Sequence, residues 1–317
     1  MNRIQIKSIL RRFPPRRRYL VGVSGGRDSV ALLHWLVDLR YKNVVVCHLD
    51  HQLRGRSSTA DVGFVQKLAG KYGVDIEIGV TNVRALAAKK KMSIETAARE
   101  ARYVFFTRVA KRRHCLTIFL AHHADDLVET FLINLFRGAG MSGLAAMRAV
   151  SVRKIDNVKL QIVRPLLGVW RTEIDDYVRE HRLKFRDDAS NKNLAPLRNR
   201  VRRRIIPYLE KTLDRNIRQN IWRTAMIASE EEGFFETLLP EKLSKFTALA
   251  VEPLRKMPVA VQRRVLHEWL RAGDVPGVSF DLIERVRALL DLAGGVAKTN
   301  LPQNRHVRRR TGHIFIE

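Results

Sequence analysis

The sequence predicts an α/β fold in which a parallel sheet, covered by helices on both faces, is followed by a smaller and mainly helical C-terminal domain. Short apolar runs alternate with stretches of helical periodicity over residues 1–140, and this alternation is typical of a parallel sheet. From about Asp214 the sequence changes to helical patterns interrupted by prolines, and short extended pieces with a basic tail follow Val296. We therefore expect a first domain over residues 1–213 and a second over residues 214–317.

The stretch Tyr19–His34 predicts a strand, a phosphate-binding loop and the start of a helix. Gly25 and Gly26 allow the backbone to approach a ligand and to turn its amides toward an anion, and the following helix N-terminus adds partial positive charge. Asp28 would repel a phosphate unless a divalent cation lies between them. The stretch therefore predicts a nucleotide site that also uses Mg²⁺.

The later elements of the first domain are predicted from apolar runs, caps and helical periodicity. The predicted strands are Val44–Leu49, Asp75–Val80 and Cys115–Ala121, with a hairpin over Val150–Val163. The predicted helices cover residues 57–72 and 94–113, and a third opens at Trp170 or Thr172 and runs to His181. A further helix runs from the acidic segment after Ala121 through Arg137.

Two glycine-rich or basic segments complete the first domain. Gly138–Gly143 fits the GxGxxG dinucleotide pattern, but it follows a helix where the pattern requires a strand, so we interpret it as a flexible turn. Leu197–Pro207 is the densest basic segment, and we expect a helix there that ends near Pro207.

Polar side chains follow three of the predicted strands, at the edge where open parallel sheets bind ligands. Asp50 follows the second strand and serves either a cation, the base or ribose of a nucleotide, or a helix cap. After the fourth strand, Asp125 and Glu129 stand at i, i+4 and Asp126 and Glu129 at i, i+3, behind the histidine pair 122–123. Such carboxylates can bind a cationic substrate or accept a proton from an amine, whereas the bland alternative is an acidic first turn that favours the helix dipole.

Composition favours a nucleic-acid partner. The chain has 59 Lys and Arg against 32 Asp and Glu, for a formal net charge of +27, although a generally basic surface would give the same count. No apolar run reaches membrane-spanning length, and the basic first 18 residues lack the apolar core of a signal peptide, so we expect no membrane partner. Cys47 and Cys115 are too far apart in sequence for a local redox pair or thiolate site.

The stretch Ser24-Gly25-Gly26-Arg27-Asp28-Ser29 resembles the phosphate loop of the N-type ATP pyrophosphatases, and six further blocks, in order along the first 210 residues, resemble the tRNA(Ile)-lysidine synthases within that group. These six are His48 to Arg54, Ala98 to Tyr103, Ala121 to Thr130, Arg137 to Gly140, Arg164-Pro165-Leu166-Leu167 and Arg198-Asn199-x-x-Arg202. The resemblance implies a Rossmann-like PP-loop catalytic domain over residues 1–213 and a helical tRNA-binding domain over residues 214–317.

The resemblance also implies a reaction in two steps at the wobble cytidine, position 34, of the isoleucine tRNA with a CAU anticodon. ATP adenylates the cytidine and pyrophosphate leaves, and the amine of free L-lysine then displaces AMP to give lysidine. This modification changes codon reading from AUG to AUA and charging from methionine to isoleucine. ATP and Mg²⁺ are thus the implied substrate and metal.

The implied site residues fall into four overlapping groups. Catalysis is implied for Asp28, Asp126, Glu129 and Arg198, and ATP binding for Ser24, Gly25, Gly26, Arg27, Asp28, Ser29 and Asp50, with Asp28 as the Mg²⁺ ligand. Lysine binding is implied for Arg102, Asp126 and Glu129, and tRNA or phosphate binding for Arg54, His122, His123, Arg198, Asn199 and Arg202.

Two other classes of protein fit parts of the same sequence. A catalytically inactive tRNA-binding protein would not need the intact carboxylates at positions 28, 50, 126 and 129. An ATP-dependent ligase acting on a small molecule would not explain the net charge of +27. We expect a cytoplasmic protein, with a plastid as the alternative compartment, and a homodimer is compatible with the sequence.

Overall fold

The computed structural model describes residues 9–53, 55–186, 196–239 and 247–317, which form two compact units. The first unit is Met1–Ser229 and the second is Glu230–Glu317. Helix Ile217–Thr237 begins in the first unit, where Ile221, Trp222 and Ala225 pack into apolar clusters. The predicted domain boundary between residues 213 and 214 stays a prediction.

A six-stranded sheet in the order β3-β2-β1-β4-β6-β5 forms the centre of the first unit. Strands β1 to β4 and β6 run parallel, and β5 pairs antiparallel with β6 at the edge. This confirms the predicted mostly parallel sheet. The strands are Tyr19–Gly22 (β1), Val44–Asp50 (β2), Asp75–Val80 (β3), Thr117–Phe119 (β4), Val150–Ile155 (β5) and Val158–Val163 (β6).

Both faces of this sheet are buried because neighbouring residues of each inner strand point to opposite faces. Leu20 packs into one apolar cluster and Val21 into the other, and both are fully buried. Ile118 and Phe119 repeat the same division in β4. The apolar runs that predicted these strands are continuous because both faces of the sheet are buried.

Helices cover the sheet and carry the site residues between strands. They are Arg27–Asp38 (α1), Arg56–Tyr72 (α2), Val83–Lys90 (α3), Ile94–Arg112 (α4), Ala124–Phe136 (α5), Met141–Leu144 (α6), Arg171–Glu180 (α7), Leu197–Arg200 (α8), Ile206–Leu213 (α9) and Ile217–Thr237 (α10). Ser93 caps α4 as its sequence suggests, because its hydroxyl accepts a hydrogen bond from the Thr96 amide at 3.1 Å. Helix α3, capped by Asn82, was not predicted.

The turns agree with the sequence in two places and differ from it in one. Asp156 and Asn157 both have positive φ angles, 46° and 63°, as a two-residue hairpin loop between β5 and β6 requires. Gly138, with φ 72°, ends a helical segment as expected.

The basic helix, by contrast, does not end near Pro207. A π-helical turn, Val201–Ile205, precedes α9, and the Ile206 amide donates to the Val201 carbonyl. Pro207 then stands in the first turn of α9, where a missing N–H is tolerated.

The second unit combines short helices with a four-stranded antiparallel sheet in the order β7-β10-β9-β8. Its core includes Leu266, Trp269, Val307 and Ile314. The extended pieces predicted after Val296 thus pair into a sheet. The elements are Ala248–Ala250 (β7), Val251–Arg255 (α11), Val259–Ala272 (α12), Phe280–Arg287 (α13), Lys298–Asn300 (β8), His306–Arg310 (β9) and His313–Ile316 (β10).

Among the described residues, no helix combines the length and the apolar character needed to cross a bilayer.

Candidate active site

The glycine loop after β1 is shaped by its two serines. The hydroxyl of Ser29, a buried residue, donates to the Gly26 carbonyl at 2.8 Å and accepts from the Ser24 amide at 3.2 Å. The Ser24 hydroxyl in turn accepts from the Gly26 amide at 3.3 Å. These bonds hold the loop open at the N-terminus of α1, where the helix dipole favours an anion.

A cavity of about 420 Å³ lies at the carboxyl edge of the sheet, over this loop. Its volume falls in the usual range for small-molecule sites. The predicted ATP-site residues that line it are Ser24, Gly26, Asp28, Ser29 and Asp50. Arg102 and His122, predicted for other roles, line it as well. The cavity therefore joins the loop to the segment that follows β4.

Gly25 does not line the cavity, but its backbone needs glycine. Its φ is +88°, a conformation in which other residues are strained, and a Cβ would lie 3.4 Å from the Val65 side chain. The Gly25 carbonyl accepts a hydrogen bond from the Arg186 amide at 2.9 Å. The side chain of Arg186 donates a hydrogen bond to the Asp61 carboxylate at 2.9 Å, and both residues line the cavity.

Three residues at the cavity, His48, Asp61 and Arg186, were not among the predicted site residues. The Nδ1 atom of His48 lies 2.8 Å from the Val23 carbonyl, and this contact ties β2 to the loop. Arg186 lies 161 positions beyond the glycine that it contacts. Nothing local in the sequence marks either contact, because both depend on how the strands and loops are placed in the fold.

Arg27 points away from the cavity. Its guanidinium pairs with Asp175 on α7 and lies 5.8 Å from the ring centroid of Phe185. The predicted ATP-site arginine therefore anchors the loop to α7.

Asp28 lines the cavity with a side chain that is 33% exposed. Its Oδ1 is buried without a hydrogen-bond partner and lies 3.7 Å from Arg27 Nε, and its Oδ2 lies 3.7 Å from His123 Nε2. In the described parts of the chain, no three His, Cys, Asp or Glu side chains are arranged to hold a metal ion. Mg²⁺ commonly binds through one or two carboxylates together with substrate phosphates, so Asp28 fits that ion as a single protein ligand.

Asp50 serves the backbone in addition to lining the cavity. Its Oδ1 accepts a hydrogen bond from the Gln52 amide at 2.8 Å, which stabilises the turn after β2. The structural role that was the alternative for this aspartate is therefore realised in part. Its other carboxylate oxygen is left for a ligand.

His123 is surrounded by three carboxylates. Its ring nitrogens lie 3.7 Å from Asp28, 3.6 Å from Asp125 and 3.5 Å from Asp126. Burial lowers the pKa of His123, but these carboxylates outweigh burial and raise the pKa above its usual value. The three carboxylates thus favour the protonated form of His123, between the glycine loop and α5.

The acidic residues at the start of α5 have different partners. Asp125 accepts a hydrogen bond from the Arg171 amide at 2.9 Å and so caps α7, which agrees with the structural alternative for this residue. Asp126 accepts from the His123 amide at 3.1 Å, and its other oxygen lies 3.4 Å from Arg202. Burial raises the pKa of Asp126, yet His123, His122 and the nearby arginines outweigh burial and lower it.

Glu129 is fully buried and paired with Arg202. Both carboxylate oxygens accept hydrogen bonds from that guanidinium, one of them at 3.1 Å, and Arg198 Nε lies 3.7 Å away. Arg198 also donates to Thr130 at 2.9 Å. Burial is the main cause that raises the pKa of Glu129, and the paired arginine opposes it. The i, i+3 pair Asp126 and Glu129 thus shares one arginine, whereas Asp125 faces elsewhere.

His122 and Arg102 face the cavity in a strongly positive environment. Burial, together with the charges of Arg164, Arg102 and Arg198, lowers the pKa of His122 to about 3 against the opposing effect of Asp126. The imidazole is therefore neutral at ordinary pH. Burial is also the main cause that lowers the pKa of Arg102.

Two further residues, Asn199 and Arg54, were predicted to bind RNA or phosphate. Asn199 lies in α8, half-buried and next to Arg198. Arg54 lies outside the described residues.

The family models divide the chain in the same order as its fold. Residues 2–209 match the model described as a PP-loop domain, and residues 249–315 match the one described as the TilS substrate binding domain.

Curated relatives resemble nearly the whole chain. A tRNA(Ile)-lysidine synthase of Geobacter sulfurreducens is 37% identical over 314 residues, which cover 95% of this chain and 65% of the relative. The tRNA(Ile)-lysidine synthase of Thermosynechococcus vestitus is 35% identical over 301 residues, 92% of this chain and 83% of the relative. That of Solibacter usitatus is 34% identical, and the match covers 64% of it. The chain thus spans slightly less than two thirds of the length of two of these three relatives.

Among solved structures, the U34-tRNA thiolase NcsA from Methanococcus maripaludis has a similar fold. Its TM-score is 0.58 at 18% identity, over 71% of this chain and 76% of that one.

Proposed function

Because this chain belongs to the tRNA(Ile)-lysidine synthase family of PP-loop proteins, we propose that it ligates free L-lysine to C2 of cytidine 34 in the isoleucine tRNA with a CAU anticodon. ATP is the second substrate, and lysidine, AMP and pyrophosphate are the products. The observation that carries the proposal is one sheet edge on which an anion-receiving glycine loop and an arginine-paired carboxylate cluster stand together.

The first step is the adenylation of the cytidine. Its O2 attacks the α-phosphorus of ATP, and the bond from that phosphorus to the β-phosphate oxygen breaks, so that pyrophosphate leaves. The loop that contains Ser24 and Gly26 receives the phosphates at the start of α1, where backbone amides and the helix dipole favour negative charge. Arg198 would stabilise the charge that develops on the transferred phosphate.

Asp28 would hold Mg²⁺ through the carboxylate that it places at the cavity. When bound, the ion would neutralise part of the phosphate charge and so ease the departure of pyrophosphate. His123, whose Nε2 lies 3.7 Å from the Asp28 carboxylate, would help to orient it.

The second step joins lysine to the activated base. The ε-amine attacks C2, the bond from C2 to the adenylate oxygen breaks, and AMP leaves with the electron pair of that bond. The amine must lose a proton first, since an ammonium is no nucleophile. Asp126 and Glu129 would hold the ammonium and accept that proton, with Arg102 facing the carboxylate of the amino acid.

Lysine would have to exchange with an internal cation at this site. Glu129 is fully buried and bonded through both oxygens to Arg202. A buried carboxylate keeps its charge only when it is paired, so the incoming ammonium would take over the pairing that Arg202 now supplies. The released guanidinium would then be free to face a phosphate.

The substrates also suggest where the protein works. A reaction that consumes tRNA, ATP and free lysine is expected in the cytoplasm, with a plastid as the alternative. The net charge of +27 agrees with a polyanionic partner such as tRNA.

One assay tests the proposal. The protein is incubated with ATP, Mg²⁺, labelled lysine and an unmodified CAU isoleucine tRNA transcript, the RNA is digested, and the mass of the wobble nucleoside is measured. We expect one lysine per cytidine 34 and one pyrophosphate per lysine. A transcript with cytidine 34 replaced by uridine is the matched control.

Other outcomes would point to other functions. Pyrophosphate release without lysine in the RNA would overturn the lysidine proposal. Retained tRNA binding with no ATP turnover would favour an inactive tRNA-binding protein, and turnover without any RNA would favour a small-molecule ligase.

A further inference from the structure

Two arginines, Arg99 and Arg153, surround Tyr103 beside the cavity, and neither has a role in the chemistry described above. Tyr103 lies on α4 and is 3% exposed. The guanidinium carbon of Arg153, from β5, lies 4.2 Å from the centre of its ring, and that of Arg99 lies 5.4 Å away. Arg99 is exposed and Arg153 half-buried. Two cations from separate elements are thus held on one buried aromatic ring.

These arginines lack acidic partners. Within residues 9–53, 55–186, 196–239 and 247–317, neither Arg99, Arg153 nor Arg102 forms an ion pair or hydrogen bond with a carboxylate. Glu95 acts on Arg102 through its charge only. Arg164, which completes the group, donates to the Arg148 carbonyl and the Ser151 hydroxyl and therefore keeps its full charge.

The positive charges of this group repel one another. Besides burial, which is the larger cause, the charge of Arg99 lowers the pKa of both Arg102 and Arg164. A cluster of like charges without counter-charges destabilises a fold, so an anionic ligand is the simplest reason for its presence.

We propose that Arg99 and Arg153, fixed on Tyr103, form a phosphate track along which the RNA backbone next to the reacting cytidine approaches the cavity. Arg102, one helical turn after Arg99, lines the cavity, so the track leads from the surface to the edge of the cavity. A polymer has phosphates at both places, and a mononucleotide seated on the glycine loop does not. Stacking also restricts the guanidinium groups in advance, so less side-chain entropy is lost when phosphate binds.

This proposal rests on the proposed function only in taking RNA as the ligand. It is tested by the salt dependence of tRNA binding, which requires neither lysine nor turnover. Failure to form lysidine would therefore leave the test intact, and failure of the test would leave lysidine formation intact.

The test compares the double variant Arg99→Gln/Arg153→Gln with the wild-type chain. Each lost phosphate contact lowers the slope of log K against log salt by about 0.7 for single-stranded RNA, so we expect a slope smaller by about 1.4 and, near 0.15 M salt, a roughly tenfold loss of tRNA affinity. ATP affinity and pyrophosphate release at saturating tRNA should not change.

The matched control is Arg40→Gln/Lys42→Gln. It removes two exposed charges from the turn before β2, at the opposite edge of the sheet. Its tRNA affinity and salt slope should stay close to those of the wild type.

Three outcomes would overturn the proposal. These are an unchanged salt slope in the Arg99 and Arg153 variant, an equal loss in the control variant, and a loss of ATP affinity without a loss of tRNA affinity, which would assign the arginines to the nucleotide. If the glutamine variant does not fold, Arg99→Lys/Arg153→Lys replaces it. The lysine variant keeps the charges and should keep the salt slope, so a slope lowered by about 1.4 there would also contradict a phosphate track.

Discussion

Arg102 and Arg202 both act on the segment that follows β4, but their surroundings are opposite. Arg202 is bonded to both oxygens of a fully buried glutamate and lies 3.4 Å from Asp126. Arg102 faces the cavity without an ionic partner in the described parts of the chain, next to the neutral ring of His122 and near other arginines. Within the described residues, the charge of Arg202 is thus paired with carboxylates, whereas that of Arg102 is not.

This difference indicates how the two kinds of ligand would enter. An anion can occupy the cavity directly, because its partners there have unused positive charge and bonding capacity. A cation at Glu129 must instead displace a guanidinium that already makes two hydrogen bonds. Arg202 sits in a π-helical turn, a feature that is frequent at functional sites. The anion site is therefore open and the cation site closed.

The largest effect is expected at the loop end of the open site. Asp28→Ala removes the carboxylate that would hold Mg²⁺, so pyrophosphate release should fall on the order of 10³-fold. Binding of tRNA, measured by filter retention, should persist. Asp176→Ala is the control, since it removes an exposed carboxylate of α7 that pairs with Arg179 and does not line the cavity. A parallel loss of tRNA binding in Asp28→Ala would argue against a metal role.

The closed site should respond to Glu129→Gln in two ways. Lysine incorporation should fall on the order of 10²-fold while lysine-independent pyrophosphate release is retained, because the amine loses its proton acceptor. The free energy of unfolding should fall by about 1–3 kcal/mol, because Arg202 loses its buried partner. A product assay measures lysine incorporation and pyrophosphate release, and urea denaturation measures the free energy of unfolding.

Glu77→Gln is the matched control for that variant. Glu77 also pairs with two arginines, Arg112 and Arg113, away from the cavity. It should lose stability only. Equal losses of lysine incorporation in the two variants would refute a specific role of Glu129.

Arg102→Gln should separate stability from activity in the open site. Removal of an unpaired charge among other arginines should raise the free energy of unfolding by about 0.5–1 kcal/mol. Activity should nevertheless fall roughly tenfold, since the anion loses a charge-assisted partner. The melting temperature and the rate of lysidine formation report the two effects. A lower melting temperature would mean that Arg102 is already satisfied within the protein.

The last effect concerns the pH dependence of stability and no loss of activity. Burial holds the pKa of His122 at about 3, well below its unfolded value near 6.5. Between those values the unfolded chain binds a proton that the folded chain does not, so stability falls as pH decreases, by up to about 1.4 kcal/mol per pH unit. His122→Asn should remove this contribution, as urea unfolding at pH 7, 6 and 5 would reveal.

His123 provides the opposite sign in the same experiment. Its pKa is raised, so its contribution to stability is present below the unfolded pKa and is lost as pH rises through the folded pKa. His123→Asn should therefore lose the most stability at low pH. If both variants shifted the pH profile in the same direction, the two assigned environments would be wrong.

Much of the fold was predictable because the signals are local. The apolar run Val44–Leu49 and the cap at Ser93 predicted elements that the structure confirms within one residue. Pro207 misled the prediction, because the π-helical turn before it lets the helical path continue. Helix α3 was missed because its eight residues include three lysines or arginines and only a short apolar pattern.

The sequence by itself determined the parallel sheet, the glycine loop and the polar groups at the strand ends, because periodicity, glycine placement and strand direction are properties of neighbouring residues. Only the tertiary structure decided which charges meet. With 59 Lys and Arg and 32 Asp and Glu, many ion pairs are compatible with one sequence. Packing placed Arg27 on Asp175, 148 positions away, and Arg202 on Glu129, 73 positions away. Packing also left Arg102 without an acidic partner among the described residues, because burial and distance in the fold select each pair.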